Sequence, residues 1–155
     1  MVDSGAAEPY ILFEVAAATY AVRSSDVRQL DMIESITPLP NAPAFVDGVV
    51  FSRGQVIPAV NLRARFGFPR IPLDTRARLL VVTAGGRTVG LITDTAREFV
   101  TIPAEAVRPP PEAVAGLSGD YLEGIANLGD RLILVLDVRT VLDSGDVAVP
   151  EPITP

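Results

Sequence analysis

Length, composition and charge exclude several classes of protein at the outset. The chain has 155 residues, 48% of them hydrophobic, and a formal net charge of −6. This length suits one domain, or two joined subdomains, with a buried core. All thirteen basic residues are Arg, and Cys, His and Trp are absent. These absences exclude Ser-His-Asp and Cys-His catalysis, structural zinc sites, disulfides and the lysine-containing phosphate loop. We therefore expect no metal and no cofactor.

The charge distribution and the hydropathy indicate which partners to expect. A net negative charge opposes nonspecific binding to nucleic acid and to anionic membranes. Residues 48–93 nevertheless contain seven Arg and a single Asp, so a basic middle lies between two acidic ends. No apolar run approaches the roughly 18 residues of a membrane span, and the first nine residues do not resemble a signal peptide. The sequence predicts a cytoplasmic protein that binds no nucleic acid and does not insert directly into a membrane.

Short segments of alternating apolar and polar residues follow one another along the chain and predict strands. Ten are predicted, at residues 10–15, 19–23, 27–34, 46–52, 55–61, 76–83, 88–94, 97–102, 121–128 and 131–137. Arg53-Gly54 forms a tight turn between two of them, because glycine tolerates a positive φ. Pro58 predicts that the strand after this turn is an edge strand or is bulged.

Helical periodicity is nearly absent. Residues 62–66 and 103–107 predict single helical turns, and residues 138–142 predict a short closing helix. The apolar run at residues 132–136 predicts a strand that is buried on both faces. Residues 1–9 and the Pro-rich residues 144–155 are predicted as flexible tails.

About ten short strands joined by tight turns are typical of an all-β protein. Two five-stranded barrels fit this count, and a single sandwich fits it as well. No internal repeat is visible in the sequence. All-β proteins of this kind expose edge strands and grooves, so the composition favours an interaction module.

Carboxylates supply the one catalytic alternative. Asp94 could act with Asp143, or Asp120 with Glu123, as the acid and base of a hydrolase. The usual role of such residues is to bind the local backbone at turns and strand ends. Sugar-binding aromatic platforms are also scarce, since only 6% of the residues are aromatic. The hydrolase is therefore the minor hypothesis.

Residues 42–63 (APAFVDGVVFSRGQVIPAVNLR) resemble the signature of the CheW family, which has a Gly-Val strand, an Asn-Leu-Arg-Gly turn and an Ile-Pro-Val strand ending in Asp/Asn-Leu-Arg. Supporting segments follow in the expected order at residues 89–94 (VGLITD), 121–126 (YLEGIA) and 132–137 (LILVLD). The resemblance covers residues 10–142.

The resemblance implies an all-β fold of two intertwined five-stranded SH3-like barrels with a short C-terminal helix. Residues 10–142 would form a single CheW-like domain. Its middle barrel would comprise roughly residues 48–107, and its other barrel would come from the two ends of the chain. The implied function is that of a non-enzymatic chemotaxis adaptor, associated with receptor arrays at the inner membrane. Its implied partners are the cytoplasmic hairpin of chemoreceptors and the regulatory domain of the histidine kinase CheA.

Six positions are implied to bind the receptor or the kinase: Val27, Gln29, Leu30, Gly48, Arg53 and Gly54. Arg53 matches the arginine of the family's turn, although an arginine there could also pin the hairpin by bonding backbone carbonyls. Val27 and Leu30 would line the groove for the receptor hairpin, or belong to the core. Gly48 could instead allow a close approach of the backbone.

Two departures from the family pattern bear on the partner. Phe51-Ser52 replaces the usual Asn-Leu before the turn, and Gln29 occupies a position where members often have Glu. Either change could alter the choice of receptor, or indicate an adaptor of a separate chemosensory pathway such as surface motility. A regulatory domain separated from a larger kinase is a further alternative.

Overall fold

The computed structural model describes residues 7–111 and 121–143; for Arg97 and Asp143 it describes the backbone alone. The described residues contain eleven strands, two α-helices and two 3₁₀ turns. The strands are β1 Glu8–Val15, β2 Ala18–Arg23, β3 Val27–Met32, β4 Val46–Ser52, β5 Gln55–Asn61, β6 Arg78–Ala84, β7 Arg87–Thr93, β8 Thr95–Ile102, β9 Val107–Arg108, β10 Leu122–Leu128 and β11 Arg131–Leu136. The helices are α1 Leu62–Arg65 and α2 Val138–Asp143, and the 3₁₀ turns are Ser24–Asp26 and Ala104–Ala106.

The strands form two barrels. The sheet of the terminal barrel has the order β8-β1-β2-β11-β10-β9, and that of the middle barrel has the order β3-β6-β7-β5-β4. In the terminal barrel, the 3₁₀ turn Ala104–Ala106 joins the two outermost strands, β8 and β9. In the middle barrel, Thr37 pairs with Val49 of β4 after the chain leaves β3. The all-β, two-barrel fold with a C-terminal helix is confirmed.

The barrels exchange strands. β2 belongs to the terminal barrel, but the next strand, β3, pairs with β6 in the middle barrel. Similarly, β7 belongs to the middle barrel, and the next strand, β8, pairs with β1 in the terminal barrel. The middle barrel therefore consists of β3 and β4 to β7 and is not one continuous segment such as residues 48–107.

The strand pairing repeats even though the sequence shows no obvious repeat. Adding 69 to a residue number of β1 gives the equivalent residue of β6, so that Phe13 corresponds to Val82. The same difference of 69 relates β2 to β7 and β3 to β8, and the registers of β1–β2 and β1–β8 therefore match those of β6–β7 and β6–β3. A shift of 76 residues, from Gly48 to Gly124, carries the register of β4–β5 onto that of β10–β11. Even the bulges coincide. The two halves of the chain are thus equivalent by an approximate twofold relation.

Three clusters of buried side chains follow from this arrangement. Each barrel has a small core of its own, containing Leu12 and Ile133 in the terminal barrel and Val81 and Ile57 in the middle barrel. The largest cluster, which we call the seam, contains residues from both barrels and from both helices. Burial of this shared apolar surface is the main force that holds the barrels together.

Three local predictions differ from the structure. β5 is not an edge strand, since it lies between β7 and β4. Pro58 is tolerated because the pairing with β7 begins only at Ala59, and the bulge of this hairpin is on β4.

β11 is not buried on both faces, because Leu132 is exposed. Glu8, assigned to a tail, is in β1, since it pairs with Ile102 of β8. The tail predictions for residues 1–6 and 144–155 lie outside the described residues.

Candidate functional site

The structure places five of the six predicted positions in two groups, and Gly48 lies apart from both. Gln29 and Arg53 lie together in a polar cleft on the middle barrel, with Gly54 in the adjoining turn. Val27 and Leu30 instead pack partly buried against the seam. The position of Val27 and Leu30 fits either alternative for them, since a half-buried side chain can serve both core and groove.

The cleft of the middle barrel has a volume of about 130 Å³. Eight side chains from five strands and one turn line it: Arg28, Gln29, Ser52, Arg53, Gln55, Ile57, Val81 and Thr88. Two of these carry a positive charge and none carries a negative charge. The cleft therefore suits a partner group that is anionic and accepts hydrogen bonds.

A bulge positions the first part of the cleft. The register of β3 against β6 shifts between Val27 and Gln29, so Arg28 is the extra residue of the bulge. Such an extra residue redirects the neighbouring side chains. Gln29 then reaches the β4–β5 hairpin, where its Nε2 lies 2.6 Å from both Ser52 Oγ and Asp31 Oδ2.

The β4–β5 turn positions the second part. Arg53 and Gly54 have φ angles of 51° and 79°, and positive angles at both central residues are required by the two-residue turn that fits twisted strands. A side chain in this conformation costs about 1 kcal/mol, because its Cβ approaches the following carbonyl oxygen. Arg53 adopts it and extends into solvent.

Arg28 and Arg53 have neither an ion pair nor a hydrogen bond to their side chains within residues 7–111 and 121–143. Arg53 therefore does not pin the hairpin through backbone carbonyls. By contrast, Arg63 binds Asp94 at 2.7 Å and Arg70 binds Asp47 at 2.9 Å. The two arginines of the cleft remain able to bind an external group.

A close backbone contact explains why position 48 is a glycine. Its φ is 146°, and a Cβ at this position would lie 2.1 Å from the backbone oxygen of Thr37. Gly54 has open space around it, so it is required for its positive φ and not for a close approach. Gly48 thus allows β4 to pack against the segment that follows β3.

The carboxylates of the minor hypothesis have structural partners. Asp94 accepts hydrogen bonds from Arg63 and from the backbone N–H of Ala16. Partial burial raises the pKa of Asp94, but these hydrogen bonds outweigh it and hold the pKa below its ordinary value of 3.8. Glu123 accepts from both terminal nitrogens of Arg23.

A low pKa keeps a carboxylate ionised and makes it a poor general acid. The other proposed partners do not test the hypothesis further, because Asp120 and the side chain of Asp143 lie outside the described residues. No group of three or more potential metal ligands occurs in the described part of the chain. The geometry of the described carboxylates favours structural roles.

Sequence reasoning missed part of the cleft and a buried arginine. Arg28, Gln55 and Thr88 were not predicted, because the sequence alone does not show that β3 crosses to the middle barrel. Arg65 was also missed. Its guanidinium carbon lies 4.4 Å from the ring centroid of Phe45 and 5.1 Å from that of Tyr121.

Arg65 is buried among apolar groups, where a charge is costly unless it is paired. Its Nε donates to the backbone oxygen of Val141 at 3.3 Å, whereas its Nη2 has no hydrogen-bond partner in the described structure. The faces of Phe45 and Tyr121 supply the remaining attraction through cation–π contacts. The signal in the sequence was an arginine between two apolar residues, Ala64 and Phe66, at the end of the helical turn.

Among the described residues, no helix is long and apolar enough to cross a bilayer.

Comparison with known proteins gives concordant matches. The family model of the CheW-like domain matches residues 9–146. The chemotaxis protein CheW of Klebsiella aerogenes is 28% identical over 142 residues, which cover 92% of this chain and 86% of the relative. The chemotaxis protein CheW of Bacillus subtilis is 28% identical over 146 residues, covering 93% and 94%. The crystal structure of the scaffolding protein TtCheW from Thermoanaerobacter tengcongensis superposes with a TM-score of 0.83 at 28% identity, covering 90% of this chain and 95% of that one.

Proposed function

This chain belongs to the CheW-like domain family and is a chemotaxis adaptor, and we propose that it joins the cytoplasmic hairpin of a chemoreceptor to the regulatory domain of the histidine kinase CheA. The observation that supports this choice of partners best is the cleft of the middle barrel. There, the family's turn arginine, Arg53, is exposed, has a positive φ and has no side-chain partner among the described residues.

The proposed roles of the six positions follow their placement. Arg53 and Gln29 contact a partner in the cleft, and Gly54 permits the turn that presents Arg53. Val27 and Leu30 offer a half-buried apolar surface to the receptor hairpin. Gly48 contributes indirectly, by keeping the segment before β4 close to that strand.

We propose that the adaptor works without catalysis. It would transmit the state of the receptor by binding more tightly in one array geometry than in the other, since only differential contacts can shift an equilibrium. The proposed location is the cytoplasmic face of the inner membrane, in receptor arrays. The proposed functional unit is residues 10–142, which contain both barrels.

Phe51 favours a second candidate, an adaptor of a separate chemosensory pathway. It departs from the family's usual turn sequence, and its side chain is 75% exposed on the outer face of the β4–β5 hairpin. An exposed aromatic residue at a contact surface contributes strongly to partner choice. Exchange of Phe51-Ser52 for Asn-Leu, followed by binding assays against receptors and kinases of each pathway in the genome, distinguishes the two candidates.

Co-sedimentation of the purified protein with receptor cytoplasmic fragments and CheA tests the proposal, with kinase autophosphorylation measured in parallel. We expect a ternary assembly with altered kinase activity. Arg53→Glu should reduce assembly, because it reverses the charge of the cleft, whereas Arg76→Glu should not. Arg76 is the matched control because it lies on an exposed loop, where it binds Asp74. Absence of binding by the unmodified protein would overturn the proposed partners.

A further inference from the structure

Within the described residues, the chain crosses between the barrels at two points. The first crossing is the 3₁₀ turn Ser24–Asp26, which joins β2 to β3. The second crossing is Asp94 alone, which joins β7 to β8. The shift of 69 residues makes Ser25 equivalent to Asp94, so the two crossings can be compared position by position.

A carboxylate fastens the second crossing. The backbone N–H of Asp94 donates to the backbone oxygen of Glu14 at 2.9 Å. The Asp94 side chain accepts from the backbone N–H of Ala16 at 2.9 Å and from Arg63 of α1 at 2.7 Å. We call the contacts of Asp94 with Ala16 and Arg63 the clamp. It ties the start of β8 to the β1–β2 turn and to α1 at once.

The two partners of Asp94 have equivalents in the other half. Ala16 corresponds to Gly85 by the shift of 69, and their φ angles of 52° and 60° belong to the same kind of turn. Arg63 of α1 corresponds to Arg139 of α2 by the shift of 76. Hydrogen bonds support this helix equivalence, since the residue before each helix accepts from the backbone N–H of the third residue after it.

Contacts bring these equivalents toward the first crossing. Arg87, which follows the turn at Gly85, donates from Nη1 to the backbone oxygen of Leu142 in α2 at 3.1 Å. Both α2 and the 3₁₀ turn Ser24–Asp26 contact β6, the strand that leads into the turn at Gly85. The elements of a clamp are therefore present around Ser25.

The carboxylate is missing from the first crossing. Ser25 is exposed, and the fully described turn Ser24–Asp26 has no side-chain cap and no buried residue. The exposed side chain of Arg139 has no hydrogen bond or ion pair among the residues that the structure describes. Asp26, the acidic residue of the turn, is thus not its partner. Ser25 leaves the first crossing without the clamp.

The strand after each crossing differs in the same direction. None of the six residues of β3, all of which the structure describes, is buried. By contrast, Ala96 anchors β8 in the seam and Ile102 anchors it in the core of the terminal barrel. Segments with few buried side chains and few fixed contacts open most readily in a native protein. β3 is therefore held less firmly than its counterpart β8.

We infer that β3 is a movable strand of the adaptor, and that it can shift because Ser25 omits the clamp that Asp94 supplies to β8. This inference rests on the proposed function for its consequence. β3 carries Val27, Gln29 and Leu30, three of the six positions proposed to contact the partners. A shift of β3 changes these contacts together, and a difference in contacts between two states is what transmits the state of the receptor.

Native-state hydrogen exchange compares the two crossings in the unmodified protein. After correction for intrinsic rates, we expect the amides of residues 25–28 to exchange roughly tenfold faster than those of the equivalent residues 94–97. Asp94→Ser removes the clamp and should raise the exchange rates of residues 94–97 toward those of 25–28. Equal rates at both crossings of the unmodified protein would overturn the inference.

A restored clamp provides the converse test. Ser25→Asp adds a carboxylate at the position equivalent to Asp94 and should slow exchange at residues 25–28 roughly fivefold, the effect of one partly exposed ion pair. Ser25→Asn is the control for side-chain size, and Ser25→Asp with Arg139→Gln removes the cation. Neither control should slow exchange as much. If Ser25→Asp slows it no more than Ser25→Asn, residue 25 does not control the movement of β3.

Kinase assays test whether the movement is used. Ternary assembly with receptor fragments and CheA is measured for the unmodified protein, Ser25→Asp and Ser25→Asn. We expect Ser25→Asp to assemble but to reduce by roughly half the difference in kinase activity between the two receptor states, because a fixed β3 holds one set of contacts. Ser25→Asn should leave this difference unchanged. Circular dichroism and thermal unfolding confirm that every variant is folded.

The outcomes separate the inference from the proposed function. If the unmodified protein binds neither receptor fragments nor CheA, the proposed function fails, whereas the exchange rates still decide whether β3 moves. If it binds both, and Ser25→Asp slows exchange at residues 25–28 without changing the control of the kinase, the proposed function stands. The movement of β3 then has no role in signalling, and the inference is wrong.

Discussion

The two barrels have the same strand registers but use the equivalent positions differently. The terminal barrel pairs Arg131 with Glu98 and Arg23 with Glu123. The middle barrel has arginines that remain without an internal partner in its described cleft. The comparison shows that equivalent backbone positions of the two barrels carry different charged side chains, so that within the described residues Arg131 is paired whereas Arg28 and Arg53 are not.

A second difference lies where the halves meet. The shift of 76 residues makes Phe45 equivalent to Tyr121, and Arg65 equivalent to Val141. Arg65 lies over both of these rings and donates to the backbone of Val141, its own counterpart. One half thus contributes a buried cation where the other contributes an aliphatic side chain. This contact joins α1 to α2 across the approximate twofold axis.

The largest expected effect comes from the seam that both barrels share. Leu80 is fully buried there, so Leu80→Ala should lower the free energy of unfolding by about 2 to 5 kcal/mol. Because β3 and β8 are exchanged, we expect both barrels to unfold in one transition. Denaturant unfolding followed by circular dichroism measures both quantities, with the exposed Met32→Ala as the control. Two separate transitions would show that the barrels are independent.

The next effect tests a glycine of the middle barrel. Gly48→Ala should cost about 3 kcal/mol, because the new Cβ would overlap the backbone oxygen of Thr37. Gly54→Ala should cost about 1 kcal/mol, since only its positive φ is strained. Thermal unfolding of the two variants compares them directly. Equal losses would contradict the explanation by close approach.

The pH dependence of stability tests a charge that only one half has. Asp94, between β7 and β8, corresponds by the shift of 69 residues to Ser25, so only the second half of the chain has this carboxylate. Its pKa in the folded protein lies below the ordinary value, through Arg63 and the N–H of Ala16. The stabilisation is therefore present above about pH 4 and is lost as pH falls through the lowered pKa.

Asp94→Asn should lower the free energy of unfolding at pH 7. The further decrease of this free energy below about pH 4 should be smaller in the variant than in the unmodified protein. Urea unfolding of both proteins between pH 2 and 7, a range of about five units, provides the measurement. If both lose stability in parallel over the acid range, Asp94 does not contribute to the pH dependence.

The smallest effect concerns the cation between the halves. Arg65→Met should leave the free energy of unfolding unchanged or raise it by about 1 kcal/mol, because an apolar side chain of similar length avoids burying the unpaired Nη2. Arg65→Ala should lower it, since the packing of the side chain is also lost. A loss of about 2 kcal/mol or more in the Met variant would show that the cation–π contacts outweigh the cost of burial.

Much of the fold was predictable from local features. The alternation of apolar and polar residues and the turn pair Arg53-Gly54 gave the bounds of β4 and β5, and ten of the eleven strands were anticipated. The exception was β9, which has only two residues, too few to show alternation. Leu132 was misplaced because an apolar run does not reveal whether its outer face is covered.

Less of the candidate site was predictable. Arg53, Gln29 and Gly54 came from the resemblance to a family, and their roles in binding remain predictions. Arg28 and Gln55 were missed, because a bulge and a pairing across barrels decide which side chains share the cleft. Gly48 was predicted, but its contact with Thr37 could be identified only in the structure.

The sequence by itself determined the all-β class, the position of most strands and turns, and the absence of catalytic histidine and cysteine. These properties depend on residue types and on contacts between near neighbours, which a sequence displays directly. Only the tertiary structure decided that β3 and β8 exchange between barrels, that the strand registers of the two halves coincide, and that Arg131 pairs with Glu98 whereas Arg28 and Arg53 have no partner among the described residues. The reason is physical: these features depend on pairing between residues far apart in the chain, such as Gln29 with Ser52 and Glu98 with Arg131, and such pairing follows from burial of the shared seam.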